Sequence, residues 1–192
     1  MKRCPWPMSG GELMIKYHDN EWGTPVHDDR KHFEFLVLEA FQAGLSWLTV
    51  LRKRENFAKA FGDFNPAVVA VFDEVKIDSL VTDQGIIRNR LKIKATINNA
   101  RRFLEVQQEY GSFDHYLWSF VNYHPLVGNW QTVEQIPART ELSDRVSTDL
   151  KQRGFKFVGS TIMYAHLQAV GIVNDHLIDC LRFQQLTGYQ PG

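Results

Sequence analysis

Cysteine is scarce in this chain of 192 residues: there are two, Cys4 and Cys180, one near each end. That excludes a disulfide-dense secreted scaffold. The start, MKRCPWPMSGGEL, has no apolar stretch after its positive charges, so the expectation is a cytoplasmic chain without a secretory signal. Long hydrophobic runs are missing, which leaves no candidate for the roughly 20 apolar residues of a membrane span. Neither sign of charge is in excess, with 22 basic and 22 acidic residues. A bulk electrostatic grip on nucleic acid is therefore not expected. Strand alternation, internal repeats and low-complexity tracts are also absent.

What is present is helical periodicity on a generous apolar supply, 44% hydrophobic and 12% aromatic. Helices are predicted over 29–44, 48–61, 73–82, 88–110, 113–122, 141–152, 158–170 and 175–183. Residues 125–137 read as a loop, and 184–192 as a loose tail. The fold class is all-α, and the length suits one large domain or two small ones.

Each cysteine has a histidine near it: Cys4 with His18, and His176 with Cys180. Four apart, His176 and Cys180 would share a face of a helix. Two cysteines and two histidines are the ligand set of a closed tetrahedral zinc site. Buried cysteines of no special role, or a Cys4–Cys180 disulfide, account for the same residues; a cytosolic setting disfavours the latter.

The segment HFEFLVLEAFQAGLSW is apolar nearly all round, the mark of a buried helix. Glu39, Gln42 and Ser46 form a polar stripe on it. A buried carboxylate is costly unless paired, so the stripe either reaches solvent or lines a pocket. Trp47 follows at once, and Trp6, Tyr17 and Trp22 surround the candidate zinc ligands. Core packing is the ordinary role of such rings; rings beside a carboxylate also suit a flat or cationic ligand such as a flipped base.

Two stretches lack acids: residues 84–104, with Arg88, Arg90, Lys92, Lys94, Arg101 and Arg102, and residues 151–171, with Lys151, Arg153 and Lys156. Solvated helix faces explain them, or a local phosphate contact does. In the second, Arg153, Gly154, Lys156, Gly159, Ser160 and Thr161 lie at a short hairpin between two helices. Glycine permits close backbone approach there, and the free N–H groups of the second helix can meet one phosphate.

Taken in order, MKRCPW, YHDNEWGTP, LEAFQAGLSWLTVLRKRENF, GIIRNRLKI, RGFKFVGSTIMY and VNDH strongly resemble the DNA-3-methyladenine glycosylase type I family, of the helix-hairpin-helix superfamily. The resemblance runs from Cys4 to Cys180. It implies an all-α helix-hairpin-helix glycosylase fold, with a single unit over 1–183 and the hairpin at about 141–171. Segments 1–25 and 172–183 would be joined by one structural zinc on Cys4, His18, His176 and Cys180. It places the base pocket at Glu39, Tyr17 and Trp47, with Trp6 and Trp22 nearby, and the DNA hairpin at 153–159. Gln42 and Leu45 are candidates to plug the vacated base stack. The partner would be alkylated double-stranded DNA, the product free 3-methyladenine, and the enzyme a bacterial monomer without lyase activity. Many superfamily members carry an aspartate where Asn174 stands, so no strong general base is expected. Two rivals remain: an HD-type metallophosphohydrolase built on His18-Asp19 and Asp175-His176, and a non-enzymatic zinc-stapled adaptor.

Overall fold

Short polar side chains fix where the helices begin. Asp28 accepts a hydrogen bond from the Lys31 N–H, Asn89 from Lys92, Ser112 from His115 and Thr140 from Ser143. The computed structural model describes residues 2–188 and is mostly helical. After a 3-10 turn at Trp6–Gly10 come α1 (Gly11–Asn20), α2 (Asp29–Gln42), α3 (Trp47–Leu51) and α4 (Arg54–Ala60). The chain continues through α5 (Pro66–Val69), α6 (Glu74–Thr82), the long α7 (Arg90–Tyr110) and α8 (Phe113–Ser119). The hairpin pair follows, α9 (Glu141–Gln152) and α10 (Ser160–Ala169), and then α11 (Leu181–Thr187).

Helix α2 runs through the core, as its all-round apolarity requires. Phe33, Phe35, Leu36, Leu38 and Phe41 are each at most 1% exposed. Truncating Phe41 to alanine would cost about 3–5 kcal/mol. Helices α7, α8 and α10 pack against α2, and α9 packs on α10.

Four expectations need correction. Residues 48–61 form two helices, because the chain breaks at Arg52–Lys53. Beyond the break Lys53 turns to the carbonyls of Gln84 and Gly85, while Arg54 turns to Glu21 and Glu34. Residues 125–137 hold a strand, β1 (Leu126–Val127), and a 3-10 turn at Val133–Gln135. Strand β1 pairs in parallel with β2 (Val173–Asn174), Leu126 opposite Val173 and Val127 opposite Asn174. Residues 175–180 are not helical: β2 holds the preceding backbone extended, and Cys180 is only the N-cap of α11. Residues 184–187, expected in a loose tail, continue α11 to Thr187; residues 189–192 lie outside the described residues.

Candidate base-binding cavity and metal cluster

Cys4, His18, His176 and Cys180 converge, all buried, with their ligand atoms within 4.8 Å of one another. Cys180 Sγ lies 3.6 Å from His18 Nε2 and 3.6 Å from His176 Nδ1, and Cys4 Sγ lies 3.7 Å from His176 Nδ1. A tetrahedral site with metal–sulfur distances of about 2.3 Å and metal–nitrogen distances of about 2.0–2.1 Å has edges of about 3.3–3.8 Å, and these three sulfur–nitrogen spacings fall in that range. The helical argument for His176 and Cys180 does not hold. A turn closed by the Cys180 N–H on the Leu177 carbonyl brings them together instead.

The outer nitrogens of both histidines are fixed. His18 Nδ1–H donates to Asp19 Oδ1 at 2.8 Å, and His176 Nε2–H donates to the Trp22 carbonyl at 2.9 Å. Each bond selects the tautomer that turns the other nitrogen inward. Arg3 Nε in turn donates to both oxygens of Asp19. Gly23 (φ 74°) leaves room for the His176 ring, 2.9 Å from where a Cβ would sit. The closeness of the two thiols holds Cys180 down and, together with burial, pushes Cys4 up. Two adjacent thiolates repel, and a divalent cation would remove that conflict.

Rings extend from this cluster into a cavity. Trp6 packs edge-on against His18 at 5.4 Å between centroids, and Trp22 against His176 at 4.6 Å. Trp6, Tyr17, Trp22, Glu39, Gln42 and Trp47 line a cavity of about 320 Å³. The Tyr17 and Trp47 rings lie 5.2 Å apart. Such a volume falls at the lower end of small-molecule sites, about 300–1,000 Å³.

Glu39 is 4% exposed and has no hydrogen-bond partner among the described residues. Burial pushes its carboxyl up to about 8. Burial, and then Glu39 itself, raises the Tyr17 phenol well above its ordinary value. Trp47 Nε1 is buried without a partner among the described residues. Ser46 does not belong to the Glu39–Gln42 stripe. Helix α2 ends at Gln42, and Ser46 is the N-cap of α3, accepting from the Thr49 N–H.

The turn between these helices projects Leu45, 43% exposed, beside a second cavity of about 230 Å³. That cavity lies between the turn and α10, and Glu39, Gln42, Leu45 and Thr161 line it. The hairpin 153–159 is tied from below. Asn98 Nδ2 donates to the Gly154 carbonyl, and Asn99 exchanges two bonds with the Lys156 backbone. Gly154 needs its freedom (φ 86°), while a Cβ at Gly159 would meet open space. Lys156 and Thr161 are exposed. Ser160 is half-buried, its hydroxyl 2.8 Å from that of Ser143. Arg153 is not a free cation: it binds Asp149, Glu109 and the Tyr110 hydroxyl, and fastens the hairpin to α7.

Sequence reasoning missed Met14, Val133, Ile136, Ala165 and Gln168, which complete the larger cavity. Val133 and Ile136 come from the segment read as a loop, where no periodicity marks an inward face. The HD-type rival finds no open carboxylate. Asp175 accepts from Trp130, Tyr164 and Gln168, and Asp19 from His18 and Arg3.

Comparisons with known proteins cover nearly the whole chain. The methyladenine glycosylase family model matches residues 6–183. The chain is 51% identical over 180 residues to DNA-3-methyladenine glycosylase 1 of Escherichia coli (strain K12), covering 94% of this chain and 96% of that protein. It is 43% identical over 178 residues to DNA-3-methyladenine glycosylase of Haemophilus influenzae, covering 93% and 96%. Among solved structures, 3-methyladenine DNA glycosylase I superposes with a TM-score of 0.91 at 48% identity, covering 94% of this chain and 98% of that one. A single-residue variant of a 3-methyladenine DNA glycosylase I in complex with 3-methyladenine also gives 0.91, at 38% identity, covering 94% and 97%.

Proposed function

Because the chain belongs to the methyladenine glycosylase family, we propose that it hydrolyses the N-glycosidic bond of 3-methyladenine in alkylated DNA, freeing the base and leaving an abasic site. The observation that carries this reading is a buried carboxylate, Glu39, without a partner among the described residues, inside a ring-lined cavity. A fold retains such a group where a ligand supplies the missing partner.

Methylation at N3 makes the purine cationic while it is attached to the sugar. The nucleotide swings out of the helix, and the base stacks on Trp47 between the rings of Tyr17 and Trp6. Glu39 accepts hydrogen bonds from the base N–H groups. A cation re-ionises this carboxyl, which burial keeps largely protonated below pH 8. A neutral base gives no compensating charge, so ordinary purines are rejected. The bond between N9 and C1′ breaks, its electron pair leaves with the now neutral base, and water adds to C1′ and releases a proton to solvent. No lysine takes the part of a nucleophile, so strand cleavage does not follow. Leu45 and Gln42 fill the vacated stack. Lys156, Thr161 and the N–H groups at the start of α10 hold a phosphate, while Arg153 supports the hairpin.

One zinc on Cys4, His18, His176 and Cys180 has no open position and is structural. It joins segments 1–25 and 172–183 into one unit over 1–183 and fixes Trp6 and Trp22 in the cavity wall. The enzyme works as a monomer in the cytoplasm.

The test is incubation with methylated DNA and chromatography of the released bases for wild type, Glu39→Gln and Trp47→Ala. Wild type is expected to release 3-methyladenine, and both variants far less. Release of 7-methylguanine as readily as 3-methyladenine by wild type would overturn the reading.

A further inference from the structure

We propose that Lys92 is the positioning residue of the DNA wedge, holding the Leu45 turn in its inserting shape before DNA arrives. Resting on the glycosylase reading above, this adds to it a residue from a distant helix that touches neither base nor phosphate.

Lys92 lies on α7, 7% exposed. Its ammonium donates to the Phe41 carbonyl at 2.9 Å and to the Ala43 carbonyl at 2.7 Å. These acceptors are at the C-terminus of α2, where unpaired carbonyls and the helix dipole favour a cation. Burying an ammonium is costly unless such partners surround it. Among the described residues no carboxylate takes part, so the site is no ordinary ion pair.

The clamp grips the residues that launch the wedge. From Ala43 the chain turns through Gly44 (φ 81°) to Leu45, whose N–H donates to the Gln42 carbonyl. Ser46 then caps α3. One side of the wedge is therefore fixed by a local cap, the other by Lys92 from a helix 49 residues away in sequence. Pre-ordering matters for a wedge more than for a pocket wall. Insertion competes with re-stacking of the base pair, and every side chain still to be ordered weakens it. Without the clamp, the Ala43 carbonyl would be free to rotate and the turn free to fold back over the cavity between it and α10.

Lys92→Met separates this role from a general packing role. Wild type and variant are compared in release of 3-methyladenine from methylated duplex and from the same methylated strand without its complement. Binding of free 3-methyladenine is followed by tryptophan fluorescence. On duplex the variant should lose about tenfold to a hundredfold in kcat/KM. On the single strand, where no paired stack opposes extrusion, and with the free base, it should stay within about twofold of wild type. Equal losses on both DNA forms, weakened binding of free base, or an undiminished duplex rate would overturn the proposal. If the methionine variant does not fold, Lys92→Gln keeps two N–H donors, buries no charge and enters the same assays, with the same pattern expected in smaller degree. A wild-type protein that releases no base from either DNA would instead sink the glycosylase reading, whatever Lys92 does.

Discussion

The Cys/His cluster and the ring-lined cavity adjoin, joined through Trp6 and Trp22, yet they treat buried polar atoms in opposite ways. In the cluster each outer ring nitrogen has a partner, Asp19 for His18 and the Trp22 carbonyl for His176. In the cavity the Glu39 carboxyl has none among the described residues, and Trp47 Nε1 is buried alone. An unmade buried hydrogen bond costs about 1–3 kcal/mol. Complete pairing belongs to a device that holds the fold, incomplete pairing to one that awaits a ligand. Changes in the first region should therefore remove stability and function together, and changes in the second should separate them.

The largest effect is expected from the cluster. Structural zinc contributes about 10–16 kcal/mol of binding energy in small domains, and here the metal would also close most of the chain into a loop. Cys180→Ser, or a strong chelator, should lower stability by several kcal/mol and abolish base release together. Metal analysis and urea denaturation on the same preparations check this. Metal-free protein of full stability and activity would break the comparison at its stronger end.

Glu39→Gln should do the reverse. Catalysis is expected to fall about a hundredfold or more, since the charge that meets the cation is gone, while stability rises. The sign follows from the carboxyl, raised from 4.5 to about 8 by burial. Folded protein keeps a proton that unfolded chain gives up above pH 4.5, so wild type loses stability as pH rises through this window to about 8. The glutamine variant does not. The gap between the two should open from pH 4.5, reach a few kcal/mol by pH 8 and stay constant beyond. Denaturation midpoints across pH measure it; a gap that closes with rising pH would show that Glu39 has a cationic partner.

Why the two regions differed in legibility follows from the same contrast. The cluster was readable because four scarce, chemically specific residues sit in pairs near the two ends. Even so, the reason offered for His176 and Cys180 was wrong. Pairing of β2 with β1 is a non-local event, and no helical period can announce it. Helix α2 was readable because its apolarity goes all round, which made Glu39 conspicuous. Val133 and Ile136 were not, since an irregular segment carries no face to count. Arg153 looked like a phosphate ligand because its partners Glu109 and Tyr110 are more than 40 residues away in sequence. The clamp from Lys92 stayed hidden for the same reason: its acceptors are backbone carbonyls, which every residue has.

Trp47→Ala is expected to sit below Glu39→Gln in size. Base–aromatic stacking is worth about 1–3 kcal/mol, so kcat/KM should fall about tenfold to a hundredfold. Stability should change less than for a core ring, because Trp47 is only half-buried and its Nε1 loses no partner. Chromatography of released bases and a thermal melt measure the two quantities. Equal damage to both would place Trp47 with the structural residues.

The smallest effect, and the finest test of the contrast, is Asp19→Asn. The carboxylate touches no metal-facing atom; it accepts from His18 Nδ1–H at 2.8 Å and receives Arg3 Nε at 2.9 Å on both oxygens. Asparagine still offers one oxygen to His18, so the tautomer that turns Nε2 toward Cys180 survives. What disappears is the negative charge that makes the imidazole a stronger ligand and anchors Arg3. Outer partners of this kind are worth about 10–100-fold in metal affinity. The variant should therefore fold normally in excess zinc and melt early when zinc is limiting, with kcat unchanged once the metal site is full. A competition titration against a chromophoric chelator reads the affinity directly. Unaltered affinity would mean that pairing outside the cluster is incidental, and the distinction between a fully paired region and an open one would then rest on the cavity alone.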